Sequence, residues 1–424
     1  MRRMLLIFLF IIFCVPVFAA TEIRDTEIEN CLARLLTPVA RAADIPDGRL
    51  KIHIIASDDF NAFVSGGDDV FIYTGLLTQI KSSAALQAVV AHELGHLIGG
   101  HITQLSAQKE REMTRSLIMQ ALGVGLMVAN PMAGAGVMMG AGSVASQSLM
   151  AFSRDEERLA DDAAINLLNK AGLNPNSLIV VLEQMNEMME HTETRMNPMN
   201  SGHPQTAARL QNAREKIGKS ANRKIKSDEN YEMIRAKLIG YMGTNDMVLS
   251  KYPNSDKSDA ALYAHAIRQM RSGNLTDAET GTKTLISRHK NNPYFYELLG
   301  DIEYQFGHYD DSVAAYEKSL KLIKDAPQIQ TALALVLTER KKSDDITRAM
   351  ELARTAILTQ PTPLAYWVLV LAYGDDARSD WARAEYYHLI GDKKNTKKYA
   401  RSAQKKLQKN SPEYIKSGEL LSSD

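Results

Sequence analysis

The chain has 424 residues, too many for one small core, which predicts two domains. Its 50 lysines and arginines are matched by 50 aspartates and glutamates, so nothing in the charge calls for a nucleic-acid partner. Two cysteines in so long a chain exclude a disulfide framework.

Residues 1–20, MRRMLLIFLFIIFCVPVFAA, differ in kind from the rest. Two arginines precede an apolar run from Met4 to Phe18, and Val17 and Ala19 fit the minus-three and minus-one positions of a signal-peptidase site. A run this short can also be kept as a membrane anchor. Phe13 before Cys14 suits a lipoprotein cleavage site poorly. Cleavage would leave Cys31 alone, so the exported chain would have no internal disulfide, and a bacterial periplasm is the expected location.

Lys51–Ile55 and Val70–Tyr73 are rich in β-branched and aromatic residues, and with Gly66-Gly67 between them they predict a β-hairpin. Ser83 to Ile98 reads as a helix with an apolar stripe of Leu86, Val90, Leu94 and Leu97. His92 and His96 lie one turn apart, roughly opposite that stripe, so both imidazoles can reach one tetrahedral ion. Glu93 beside them is placed to take a proton from a water activated by that ion, as in the H-E-x-x-H motif. By itself the motif is only moderately specific, because two surface histidines can fit it too. His101 falls one residue short of a metzincin-type third ligand and is rejected as one.

No charged residue occurs between Arg115 and Arg154, and residues 112–153 form a Met-, Gly- and Ala-rich helical insert broken at Asn130-Pro131. It reads as a helical pair that covers the cleft or offers an apolar face to partners; the alternative is a membrane hairpin. The stretch after it, SRDEERLADDAAINLL, suits a packed helix on which Glu157 and Asp161 share a face. A glutamate there could supply a third metal ligand and Asp161 could orient a ligating histidine, although a plain charged helix face would look the same. His203-Pro204 opens a further helix, with Arg209 along it.

From about Asp228 a 34-residue period sets in. Gly273 and Gly307, Asp277, Asp311 and Asp345, and Pro293, Pro327 and Pro361 all follow it. That is the tetratricopeptide length, a helical hairpin per repeat with a proline closing each one. An irregular piece is expected around Gly374 to Trp381, before a degenerate last unit. A helical pair between Tyr231 and Arg271 would cap the stack or dock on the first domain. The lysine-rich run Lys393 to Lys409 is a solvated helix face or a contact for an acidic partner or lipid head groups.

The order NAFVSGGDDVFIYTGLL, HELGH, SRDEERLAD, HPQTAAR resembles the HtpX-like and CAAX-prenyl-protease superfamily of zinc metallopeptidases. Within it the chain is most similar to the periplasmic, β-barrel assembly-enhancing branch. The resemblance implies that Glu157 is the third zinc ligand beside His92 and His96, with one Zn2+ per chain. It also implies an edge strand near the cleft that pairs with an extended substrate, and a catalytic part for Glu93, Asp161, His203 and Arg209. His203 would then stabilise the oxyanion of the reaction or take the fourth zinc position and hold the enzyme latent.

The expected architecture is mainly α. Residues 21–225 would form a gluzincin-type helical metallopeptidase domain with a small β-hairpin or sheet, and 226–424 an α-solenoid of tetratricopeptide repeats. The expected activity is hydrolysis of misfolded or misassembled envelope proteins, with the repeats binding the outer-membrane assembly machinery and with peripheral membrane contact. The alternatives are a chaperone or assembly adaptor with little proteolysis, and an integral-membrane peptidase.

Overall fold

The computed structural model describes residues 22–65, 68–99, 154–191, 207–218 and 228–422. The leader, His101, the 112–153 insert and His203 lie outside the described residues. The N-terminal part opens with β1 (Glu22–Ile23), α1 (Thr26–Ala42), β2 (Lys51–Ile55), β3 (Ala62–Ser65), β4 (Asp69–Tyr73), α2 (Thr74–Gln79) and α3 (Ser83–Ile98). It continues with α4 (residues 154–170), α5 (Asn176–His191) and α6 (Ala207–Ile217).

α1 starts at Asp25, whose side chain accepts a hydrogen bond from the Ile28 amide at 2.9 Å, with Glu27 and Glu29 in the first turn. Its Ile28, Leu32, Leu35, Leu36 and Val39 recur at helical spacing and are buried. Each such side chain contributes about 1.5–3 kcal/mol. Ser82 caps α3 in the same way, through the Ala85 amide. The stripe of Leu86, Val90 and Leu94 is fully buried, and so are Ala85, Ala88 and Ala91 around it, so α3 is enclosed on nearly every side. Any polar side chain on it must therefore find its partners indoors. Cys31 is buried too, and burial pushes its thiol up to about 12, which keeps it unreactive.

The strands form one mixed sheet in the order β1-β2-β4-β3. This corrects the expected hairpin. β2 and β4 run parallel, Ile54 opposite Ile72, and the hairpin lies between β3 and β4, Val64 opposite Val70. β3 has only four residues, with Ala62 and Val64 buried and Phe63 and Ser65 exposed, too short a pattern to stand out in sequence. It takes the antiparallel place beside β4 and is, among the described residues, the outermost strand on that side. Gly75 sets the loop that leads into β3: a Cβ there would lie 2.2 Å from the Asp58 carbonyl oxygen.

The C-terminal part is a stack of helical hairpins: α7 (Glu229–Met242), α8 (Asn245–Lys251), α9 (Asp259–Arg271), α10 (Leu275–Arg288), α11 (Pro293–Phe306), α12 (Tyr309–Leu322), α13 (Pro327–Arg340) and α14 (Asp345–Thr359). It ends with α15 (Pro363–Tyr373), α16 (Ala377–Leu389), α17 (Lys393–Lys406) and α18 (Pro412–Ser422). The 34-residue step is visible in the backbone: Gly273, Gly307 and Lys341 all turn between paired helices with φ of 78°, 80° and 58°. Pro293 and Pro327 take the first turn of the next helix, where the missing amide costs nothing. The stretch around Gly374 is regular rather than irregular. α15 and α16 form an ordinary pair turning at that glycine, whose φ is 55°.

α7 belongs to two cores. Tyr231, Ile234 and Leu238 complete the N-terminal one, while Ala236 and Ile239 begin that of the stack. The Tyr231 hydroxyl donates to the Leu77 carbonyl at 3.0 Å and Arg235 to that of Ile80 at 3.2 Å.

Candidate metal centre

His92, Glu93 and His96 sit on the C-terminal half of α3 and are all buried. α4 crosses it closely. A Cβ on Gly95 would lie 2.8 Å from the Ala160 carbonyl oxygen, so only glycine lets the two helices approach this far. That approach delivers Glu157 and Asp161 to the histidines. Glu157, 2% exposed, places its carboxylate oxygens 3.4 Å from His92 Nε2 and 3.3 Å from His96 Nε2. The two Nε2 atoms are 3.1 Å apart.

These three separations test the fit to a metal directly. Tetrahedral ligands held at zinc-like bond lengths lie about 3.3 Å from one another. The two histidines and Glu157 therefore describe one face of such a tetrahedron, and their donor atoms form a group able to hold an ion. Asp161 approaches the far side of His92, 2.9 Å from Nδ1, which leaves Nε2 to face the group.

Arg209, on α6, closes the other side. Its Nε and Nη2 each donate to Asp161 at 2.7 Å, and Nη1 lies 2.6 Å from Glu157. Electrostatics follow from this crowding. Burial works against a charged His92, yet hydrogen bonds to Asp161 and Glu157 outweigh it and push its pKa up to about 9. Burial works against the Asp161 charge as well, and His92 and Arg209 still hold its carboxyl below the usual range. Glu93, Glu157 and Asp161 thus gather three carboxyl groups about one guanidinium in a buried site, a set that suits a divalent cation.

Glu93 and His92 also line an apolar cavity of about 50 Å3, bounded by Asn61 and Ala62 at the start of β3 and by Leu178, Leu182 and Met185 of α5. β3, the outermost described strand on this side of the sheet, thus begins beside the carboxylate.

Residues 25–217 match the model of peptidase family M48. They form an M48 domain. The β-barrel assembly-enhancing protease of Escherichia coli (strain K12) is 23% identical over 285 residues, 66% of this chain and 58% of that protein. Its namesake in Yersinia pestis is 22% identical over 316 residues, 73% of this chain and 64% of that protein. Metalloprotease LoiP of Escherichia coli (strain K12) is 26% identical over 188 residues, 44% of this chain and 70% of that protein. The chain thus spans less than two thirds of the length of the first two. The M48 match covers α1 to α6, the elements that carry every described residue of the metal group, and M48 metalloproteases depend on a metal.

The structure brings together His92, Glu93, His96, Glu157, Asp161 and Arg209 within the M48 domain. Sequence reasoning missed Gly95, whose only signal is its place inside the motif on a helix otherwise free of glycine. Among the described residues, Glu303, His308 and Asp311 form a second group with ligand-like spacing. There His308 pairs with Glu303 at 3.0 Å as Asn274 pairs with Gln269 one repeat earlier, the mark of a turn staple.

Proposed function

We propose that this protein is a zinc-dependent endopeptidase of the bacterial periplasm that cuts unfolded or misassembled envelope proteins. The observation that carries the reading is the triangle of His92, His96 and Glu157 donor atoms with Glu93 adjoining it. Two imidazoles and a carboxylate at tetrahedral spacing, three ligands from the described residues, suit zinc.

The ion, when bound, would supply Lewis-acid polarisation of the scissile carbonyl and of the attacking water. Glu93 takes the proton of that water and returns it to the leaving amine. Asp161 holds the His92 tautomer, and Arg209 fixes Asp161 and Glu157 while balancing part of their charge. The β3 edge would offer main-chain groups to an extended substrate, a pairing that leaves side-chain selectivity loose, and the cavity against α5 would take an apolar side chain. His203 serves the oxyanion or gates the fourth position.

Export is supported by residues 1–20, and the substrate class by the name of the relatives from Escherichia coli and Yersinia pestis. The helical repeats would present substrates or bind the outer-membrane assembly machinery, since such stacks build extended concave surfaces. No helix of the described residues is long and apolar enough to cross a membrane.

Hydrolysis of unfolded casein by the purified protein, beside Glu93→Gln, tests the proposal. The variant should keep its zinc and lose at least about a hundredfold in rate. Equal rates would contradict the role of Glu93. An adaptor without proteolysis would show itself if Glu93→Gln cells assembled their envelope as well as wild type.

A further inference from the structure

α17 carries Lys393, Lys394, Lys397, Lys398, Arg401, Lys405 and Lys406 and no acidic residue. Thr396, Ala400 and Ala403 form its buried face, against α16 and α18. On the opposite side Lys394, Lys398, Arg401 and Lys405 follow one another at helical spacing and are all exposed. They make a single stripe about 17 Å long. Lys406 is turned away to Asp380, 2.6 Å distant. Like charges one turn apart repel.

The stripe begins beside an apolar tip. Leu389, the last residue of α16, and Ile390, which caps it, are 41% and 49% exposed. Tyr387 behind them stacks on Tyr399 at 5.5 Å, and Lys398 lies 4.9 Å over the same Tyr399 ring. Cations, amphipathic aromatics and bare aliphatic side chains thus share one end of the stack.

We propose that this end docks on an anionic lipid surface, with the α17 stripe over the headgroup phosphates and Leu389 and Ile390 below them. An acidic polypeptide would answer the charges but leave the aliphatic tip in water. Lysines also predominate, and they act as point charges suited to diffuse phosphate rather than to bidentate carboxylate recognition. The net charge of the chain is zero, so attraction comes from this patch and not from the molecule as a whole. The docking is independent of the metal-centre reading.

Vesicle flotation decides it, using protein that starts at Thr21 so that the apolar leader cannot itself bind lipid. Wild type should float with phosphatidylglycerol vesicles, remain behind with phosphatidylcholine vesicles, and release in high salt. The exposed quadruple substitution Lys394→Gln, Lys398→Gln, Arg401→Gln and Lys405→Gln should weaken binding at least about tenfold. Leu389→Ser with Ile390→Ser should weaken it without changing the salt dependence. Circular dichroism checks that both variants fold. Equal flotation with neutral vesicles, or no effect of the quadruple substitution, overturns the proposal. So does capture of the protein by polyglutamate with no binding to either vesicle.

Discussion

Two buried clusters of charge can be compared, one in the metal centre and one where the M48 domain meets the repeats. At the junction Lys237 reaches Asp25 at 2.8 Å, Glu27 at 3.3 Å and Glu297 at 3.1 Å. Tyrosine hydroxyls complete the cluster: Tyr263 donates to Glu27 at 2.8 Å, Tyr241 to Asp301 at 3.2 Å, and Tyr316 to Asp301 as well. Both clusters hold more carboxylates than cations, and they dispose of the excess in opposite ways. Burial pushes Glu27 and Asp301 upward and Glu297 up to about 8, so the junction sheds charge by keeping a proton on Glu297. In the metal centre Asp161 stays ionised and donor atoms converge on a common point instead. A cluster closed by hydroxyls is a rivet. One whose donor atoms converge suits an ion.

Removing each cluster's own cation should separate them most clearly. Lys237→Met leaves the junction carboxylates without their cation and should cost about 3–5 kcal/mol in urea unfolding, whether or not zinc is present. Arg209→Met should cost a similar amount in chelator and much less with zinc bound, because a divalent ion offsets the same carboxylates. Identical zinc dependence in the two variants would erase the distinction. Next comes Gly95→Ala, whose new methyl meets the Ala160 carbonyl. Stability should fall by about 1–3 kcal/mol, and zinc affinity with it, as isothermal titration would read.

The junction also predicts a pH effect. The unfolded chain releases the Glu297 proton near its ordinary 4.5, and the folded protein near 8. Between those values the folded state holds more protons, so stability is full below the window and declines as pH rises through it. Melting temperatures of Glu297→Gln should decline less across that range than those of wild type. Parallel curves would remove Glu297 from the account. Smallest is Lys341→Gly, which relieves the left-handed backbone at the third repeat turn and should gain at most about 1 kcal/mol.

How far the sequence could be read depends on how local each signal is. His92 and His96 declare themselves because helical spacing alone puts them on one face. The repeats do so because a 34-residue step recurs in glycine, aspartate and proline alike. Glu157 is far from the motif in sequence, and only resemblance singled it out from the charged residues around it. Arg209 could be placed on a helix but not against Asp161, since nothing local ties α6 to α4. The pairing of β2 with β4 was misread because β3 is too short to show its alternation. The junction gave no sign at all: Lys237 looks like any helix lysine, and its partners Asp25 and Glu297 lie in distant parts of the chain.

Zinc content by mass spectrometry of Glu157→Ala and His101→Ala, purified beside wild type, tests the central claim most directly. Wild type and His101→Ala should each hold one zinc per chain, and Glu157→Ala close to none. Full zinc in Glu157→Ala, or its loss in His101→Ala, would contradict the site described.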